Sequence, residues 1–170
     1  AVLFARNKKR VYNLELGVPF CRSPLEFSQL KRELAVRGIT RKGTLGLWLE
    51  VGVPENILNL EEYLTIGLDG VILNLDELNS LLGGFSNQSI FESSIYKKQI
   101  QALLIFIKDG IKLLHAKRVP FIARGEILLH PLVLDFLIEY GVWGIVANSH
   151  DGAVSEHLNW VERRLVIKKI

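Results

Sequence analysis

Charged side chains that could bind a metal ion or an anion follow three of the predicted strands. Asp76 and Glu77 come after the third predicted strand, Arg124 after the fourth and Arg22 after the first. Carboxylates are the ligands that Mg²⁺ prefers, and a guanidinium binds phosphate or carboxylate through paired hydrogen bonds. The sequence therefore offers Glu77 and Asp76 as candidate metal ligands, and Arg124 and Arg22 as candidate anion-binding residues.

Structural interpretations compete with these chemical ones. Asn74 and Glu77 have the spacing of a capping box at a helix start, and capping is favoured over metal binding for Glu77. Arg124 could bind an anion at the strand ends. Its alternative role is an internal ion pair with Glu50, Asp76 or Glu77. The ion pair is favoured because a buried carboxylate needs a cation nearby. Glu50 could reach the site through the space at Gly52, but the favoured interpretation is an interior acid held by a neighbouring base.

The elements that would position these side chains alternate between strands and helices. Short apolar runs predict strands, and capping residues or proline open the helices that follow them. This pattern predicts an α/β fold with a parallel sheet and right-handed crossovers. The predicted strands are 12–20, 45–53, 70–75, 119–123 and 142–147; the predicted helices begin at 23, 54, 75, 95, 130 and 154.

Five strands are fewer than a closed βα barrel contains. A complete eight-stranded barrel needs roughly 250 residues, whereas this sequence has 170. We therefore expect a partial TIM barrel of about five βα units, or an open sheet that something else must close. Residues 1–11 are expected to be a basic N-terminal extension and residues 12–170 the barrel domain. The absence of methionine suggests a processed chain or a piece of a larger one.

Composition excludes several classes of protein. Hydrophobic residues make up 49% and charged residues 23%, which is typical of a globular domain. No apolar run reaches the roughly 18 residues of a membrane span. The single cysteine, Cys21, rules out an internal disulfide framework and suggests a cytoplasmic protein with a core-edge thiol. The net charge of +3 is spread over small basic clusters near the chain ends, so nucleic-acid binding is not expected.

Five stretches in order resemble the phosphoenolpyruvate-utilising barrel of phosphoenolpyruvate synthases (pyruvate, water dikinases). The most informative, DGVILNLDELNS, is similar to the strand-to-helix motif DGFSIGSNDLTQ of that family. The resemblance implies that the chain corresponds to the last five strands of the barrel. The five stretches are GVPFCRSP at 17–24, LEVGVPEN at 49–56, DGVILNLDELNS at 69–80, FIARGE at 121–126 and GIVAN at 144–148.

The resemblance also implies that most chemical groups of the family site are changed. A family glutamate and aspartate that hold Mg²⁺ correspond to Gly52 and Glu77, and the asparagine before that aspartate corresponds to Asp76. The family cysteine that exchanges a proton corresponds to Arg124. A phosphate-contacting arginine corresponds to Asn87. A degenerate site is the expectation that follows.

Three functions remain open from the sequence. The preferred one is a non-catalytic scaffold or interaction module, acting with upstream domains of a larger protein or with a second copy as a homodimer. The rival is an active phosphoenolpyruvate- or pyruvate-binding domain of a pyruvate, water dikinase, a phosphotransferase in which Glu77 retains Mg²⁺. The third is an anion sensor in which Arg124 and Arg22 bind a phosphate or carboxylate.

Overall fold

The fold is described from a computed structural model that covers residues 1–40, 45–84, 94–146, 156 and 158–160. Of residues 94–97 it describes the backbone alone. The predicted strand-helix alternation is present throughout these ranges. The last predicted helix, 154–166, lies mostly outside them, although residues 156 and 158–160 are helical.

A single parallel sheet forms the centre of the molecule, and its strands are hydrogen-bonded in chain order. A doubly wound sheet reverses its strand order at a switch point, whereas a barrel wall does not. The observed order therefore agrees with the predicted partial barrel. The strands are β1 (Leu14–Val18), β2 (Leu45–Val51), β3 (Gly70–Asn74), β4 (Phe121–Arg124) and β5 (Gly144–Val146).

Helices connect successive strands, and local sequence explains where they begin. Ser23 accepts a hydrogen bond from the backbone N–H of Glu26 at 3.2 Å, and Pro24 occupies the first helical position, as predicted. The helices are α1 (Val2–Lys8), α2 (Pro24–Val36), α3 (Pro54–Leu58), α4 (Leu60–Ile66), α5 (Leu75–Gly83), α6 (Ser94–Ala116) and α7 (Pro131–Glu139), with a 3₁₀ turn at Glu126–Leu129.

Each strand begins or ends one or two residues inside its predicted bounds, and three further details differ from the sequence prediction. The helix predicted to start at Pro54 is two helices, because the chain turns at Asn59 between α3 and α4. Helix α1 lies within residues 1–11, where no helix was predicted. Strand β4 extends one residue further than predicted, so Arg124 is its last residue and pairs in register with Asn74.

The hydrophobic core lies between the helices and one face of the sheet. Leu49, Val71, Leu73 and Phe121 supply the sheet side of this core and are buried. Their strand neighbours point to the opposite face, because side chains alternate along a strand. Glu50 and Arg124 belong to that opposite face. In the ranges that the structure covers, no helix is both long and apolar enough to cross a membrane.

Candidate functional site at the carboxyl ends of the strands

An ion pair joins β2 and β4 at the carboxyl edge of the sheet. Nη2 of Arg124 lies 2.5 Å from Oε1 of Glu50. The Glu50 side chain is 13% exposed and that of Arg124 is 44% exposed. The predicted internal ion pair is therefore confirmed, and among the three candidate partners the carboxylate is that of Glu50.

Asn74 lies between the two charged residues and connects them to helix α5. Its amide nitrogen donates to Oε1 of Glu50 at 2.9 Å, while its Oδ1 accepts from the backbone N–H of Glu77 at 3.4 Å. Asn74 is buried, so both halves of its amide are used inside the protein. The predicted cap by Asn74 is confirmed, but the second hydrogen bond of a capping box, from the Asn74 backbone N–H to the Glu77 carboxylate, is not found among the described residues. The Glu77 carboxylate itself is half-buried and has no hydrogen bond or ion pair within the described part of the chain.

Asp76 holds the turn that follows β4. Its two carboxylate oxygens accept from the backbone N–H groups of Glu126, at 2.7 Å, and Ile127, at 3.0 Å. Gly125 makes this approach possible: its φ is +136°, and a Cβ there would lie 2.7 Å from Oδ1 of Asp76. The carboxylate therefore acts as a cap on the 3₁₀ turn. Sequence reasoning missed this role, and the glycine after the strand was its only local signal.

The remaining sequence candidates lie apart from this network or contribute no ligand atom. Gly52 faces Glu77, and a Cβ on it would lie 3.6 Å from the Glu77 Cβ, an ordinary packing distance. Arg22 is exposed; its backbone N–H donates to Glu26 at 2.8 Å, and its guanidinium has no polar partner among the described residues. Asn87 lies outside the described residues.

The side chains at this edge do not fit a magnesium ion. Mg²⁺ needs several oxygen ligands in near-octahedral geometry. The Glu50 carboxylate is bound by Arg124 and Asn74, and Asp76 is bound by two backbone N–H groups. Only Glu77 remains. Within the described ranges, no group of three or more His, Cys, Asp and Glu residues could hold a metal.

A second polar network is buried beneath the end of β1. The amide nitrogen of Asn56 donates to the backbone carbonyl of Cys21 at 2.8 Å and to the hydroxyl of Tyr63 at 3.0 Å. That hydroxyl donates to Glu55 at 2.8 Å. Burial raises the pKa of the Cys21 thiol, and burial with the Glu55 hydrogen bond raises the pKa of Tyr63. A buried protonated thiol is a poor nucleophile, in agreement with a structural role for Cys21.

Comparisons with known proteins agree with the resemblance seen in the sequence, although no protein-family model matches the chain. Phosphoenolpyruvate synthase from Aquifex aeolicus is 27% identical over 152 residues, which are 87% of this chain and 17% of that protein. Phosphoenolpyruvate synthase from Deinococcus radiodurans is 26% identical, and the match covers 91% of this chain and 20% of that protein. Phosphoenolpyruvate synthase from Aeropyrum pernix is 22% identical, and the match covers 100% of this chain and 21% of that protein. The chain thus spans about a fifth of the length of these curated relatives.

A solved structure with the same fold is a pyruvate kinase from Cryptosporidium parvum. It superposes with a TM-score of 0.60 over 95% of this chain and 34% of its own, at 10% sequence identity. At that identity the likeness establishes the fold and nothing about function. The chain is therefore a parallel α/β barrel segment similar to part of phosphoenolpyruvate synthases, and the predicted resemblance is confirmed.

Proposed function

We propose that the chain is a phosphoenolpyruvate synthase-like barrel segment that acts as a non-catalytic scaffold or interaction module. The observation that carries this proposal is the Arg124–Glu50 ion pair at the carboxyl edge of the sheet. In βα barrels, this edge is where catalytic groups are placed. Here Arg124 and Glu50 bind one another and Asp76 binds the backbone, whereas the Glu77 carboxylate has no partner among the described residues.

Arg124 supplies a positive charge but cannot supply the chemistry of a metal or of an acid. A Lewis-acid metal accepts a lone pair from a substrate oxygen, whereas a guanidinium only donates hydrogen bonds. General acid catalysis needs a group with a pKa near the working pH, and arginine stays protonated in proteins. A guanidinium at residue 124 therefore favours binding and structure over proton transfer.

The strongest rival is the active phosphotransferase domain, and Glu77 is the observation in its favour. This carboxylate is half-buried beside the space at Gly52 and is not tied to a cation in the part of the chain described. One carboxylate is a weak Mg²⁺ site on its own, since the ion would keep most of its water. Anion sensing is less favoured, because the Arg124 guanidinium is already paired with the Glu50 carboxylate.

Magnesium titration of the chain tests the proposal. Isothermal titration with Mg²⁺, in the presence and absence of oxalate as an enolate analogue, is expected to give no binding beyond that of Glu77→Gln. The double variant Gly52→Glu/Arg124→Cys serves as the positive control, because it places a second carboxylate beside Glu77 and removes the competing cation. Saturable binding to the unmodified chain that Glu77→Gln abolishes would refute the non-catalytic proposal.

A further inference from the structure

Helices α2 and α4 are neighbours on the helical side of the sheet, and an open groove of about 510 Å³ lies between them. The groove continues to the end of α3, and its apolar lining comes from Pro24, Leu25, Leu58 and Ile66. Leu25 is 67% exposed and Leu58 is 73% exposed. Leucines scattered singly over a surface are ordinary, whereas apolar side chains gathered in one groove mark an interaction site.

Among the described residues, the charged side chains that line this groove are both negative. Glu61 and Glu62 lie in the first turn of α4 and are exposed. Glu62 has no ion pair within the described ranges, and Glu61 has a long one, with 3.9 Å between its Oε1 and Nζ of Lys117. Exposed pairs of this kind contribute little. The whole chain carries a net charge of +3, so the groove reverses the sign locally and favours a basic occupant.

The spacing of the lining residues suits a helical occupant. Leu25 and Ser28 are three residues apart on α2, and Glu62 and Ile66 are four apart on α4, so each pair lies on one face of its helix. The groove therefore runs between two rows of helical side chains. An amphipathic helix fits such a groove through apolar residues at i, i+3, i+4 and i+7. A small molecule fits it less well, because ligand pockets enclose most of the ligand surface.

We propose that the groove between α2 and α4 binds a basic amphipathic helix of another protein. The apolar side chains of that helix would cover Leu25 and Leu58, and its lysine or arginine side chains would pair with Glu61 and Glu62. This inference rests on the part of the proposed function that makes the chain an interaction module, and it adds the surface and the chemistry of the partner. It does not involve the strand ends, so the magnesium titration and the binding experiment can fail independently.

Other occupants fit the charge of the groove less well. Two copies of the chain that meet through this groove about a two-fold axis would bring the Glu61 and Glu62 carboxylates of both copies together. Like charges that face each other across an interface weaken it. A membrane surface of anionic lipids would meet the same repulsion. A basic helix is the occupant that satisfies both the exposed leucines and the two glutamates.

A designed peptide tests the proposal. The probe is a fluorescein-labelled amphipathic helix of about 14 residues, built from leucine on one face and lysine on the other, and the reference peptide has glutamate in place of lysine. Fluorescence anisotropy at low salt should show saturable binding of the basic peptide to the chain and none of the acidic one. Leu25→Gln/Leu58→Gln should weaken that binding about tenfold. Ile105→Gln, at a position on α6 that is also 73% exposed, is the matched control and should leave it unchanged. Absence of saturable binding, or an equal loss in Ile105→Gln, would overturn the proposal.

A charge reversal provides the second readout. Glu62→Lys should weaken binding of the basic peptide about fivefold at low salt and strengthen binding of the acidic one. Glu139→Lys, at an exposed position on α7, changes the net charge by the same amount and is the matched control. Equal effects of the two reversals would show that the peptide responds to net charge alone, which contradicts a site in the groove. A chain that sediments as a dimer, and as a monomer when it carries Leu25→Gln/Leu58→Gln, would identify a second copy as the occupant and refute the proposal.

Discussion

Replacing Arg124 by methionine should destabilise the protein although Arg124 is nearly half exposed. Methionine keeps an unbranched apolar stem, so the change removes mainly the guanidinium. The Glu50 side chain is 13% exposed. Among the described residues, the hydrogen-bond donor left to it would be the Asn74 amide. A carboxylate that is mostly shielded from water and has lost its cation raises the free energy of the folded state.

The expected size lies between two measured limits. Breaking a buried ion pair by removing one partner costs about 3–5 kcal/mol, and exposed pairs contribute about 0–1 kcal/mol. Glu50 is close to the buried limit, but water can enter on the side that Arg124 vacates. We therefore expect a loss of about 1.5–3 kcal/mol in the free energy of unfolding, or about 4–9 °C in Tm for a domain of this size.

Urea unfolding of four proteins measures this effect: the parent chain, Arg124→Met, Glu50→Gln and the double variant. The double variant should be about 1 kcal/mol more stable than Arg124→Met, because it buries no unpaired charge. Arg37→Met is the matched control, since Arg37 pairs with Glu33 at 3.6 Å on the surface with side chains 68% and 62% exposed. If Arg124→Met unfolds at the same urea concentration as Arg37→Met, the ion pair does not stabilise the strand ends and the reasoning fails.

Two further predictions concern the rest of the polar framework. Gly125→Ala should cost about 1–3 kcal/mol in urea unfolding, because it strains a positive φ and crowds Asp76; Gly84→Ala, at φ +68° with no atom within 4 Å, should cost less. The free energy of unfolding should also fall as pH rises above about 9, because burial raises the pKa of Cys21 and Tyr63 and the unfolded chain releases those protons first. Tyr63→Phe should flatten that fall; an unchanged slope would contradict the assignment.

The fold was predictable because its signals are local. Apolar runs of strand length, a capping serine before Pro24 and the asparagine cap at Asn74 each mark an element within a few residues. The errors are local as well. The chain turns at Asn59, where no glycine or proline indicates a turn. Helix α1 forms from a segment that was predicted to be an extension because of its basic charge.

The site was predictable only in part because its contacts are long-range. Sequence reasoning could identify Arg124 as one half of an ion pair, but the choice of Glu50 depends on strand register. Arg124 pairs with Asn74 on β3, and Glu50 lies on β2 beyond it, so the guanidinium reaches across one strand. The contact from Asp76 to Glu126 joins residues 50 positions apart. Neither contact can be predicted from a local sequence pattern.

The arrangement at the strand ends explains why one substitution would not restore a metal site. Gly52→Glu alone would place a carboxylate beside Glu77, whose Cβ is 3.6 Å from the position of the new Cβ. Two carboxylates on side chains that start so close together repel unless a cation lies between them. The Arg124 guanidinium cannot move between these two carboxylates without leaving Glu50 unpaired. Gly52→Glu should therefore lower the free energy of unfolding in metal-free buffer. In the double variant Gly52→Glu/Arg124→Cys, Mg²⁺ should raise the free energy of unfolding again. A single variant that binds Mg²⁺ without loss of stability would show that the ion pair does not oppose metal binding.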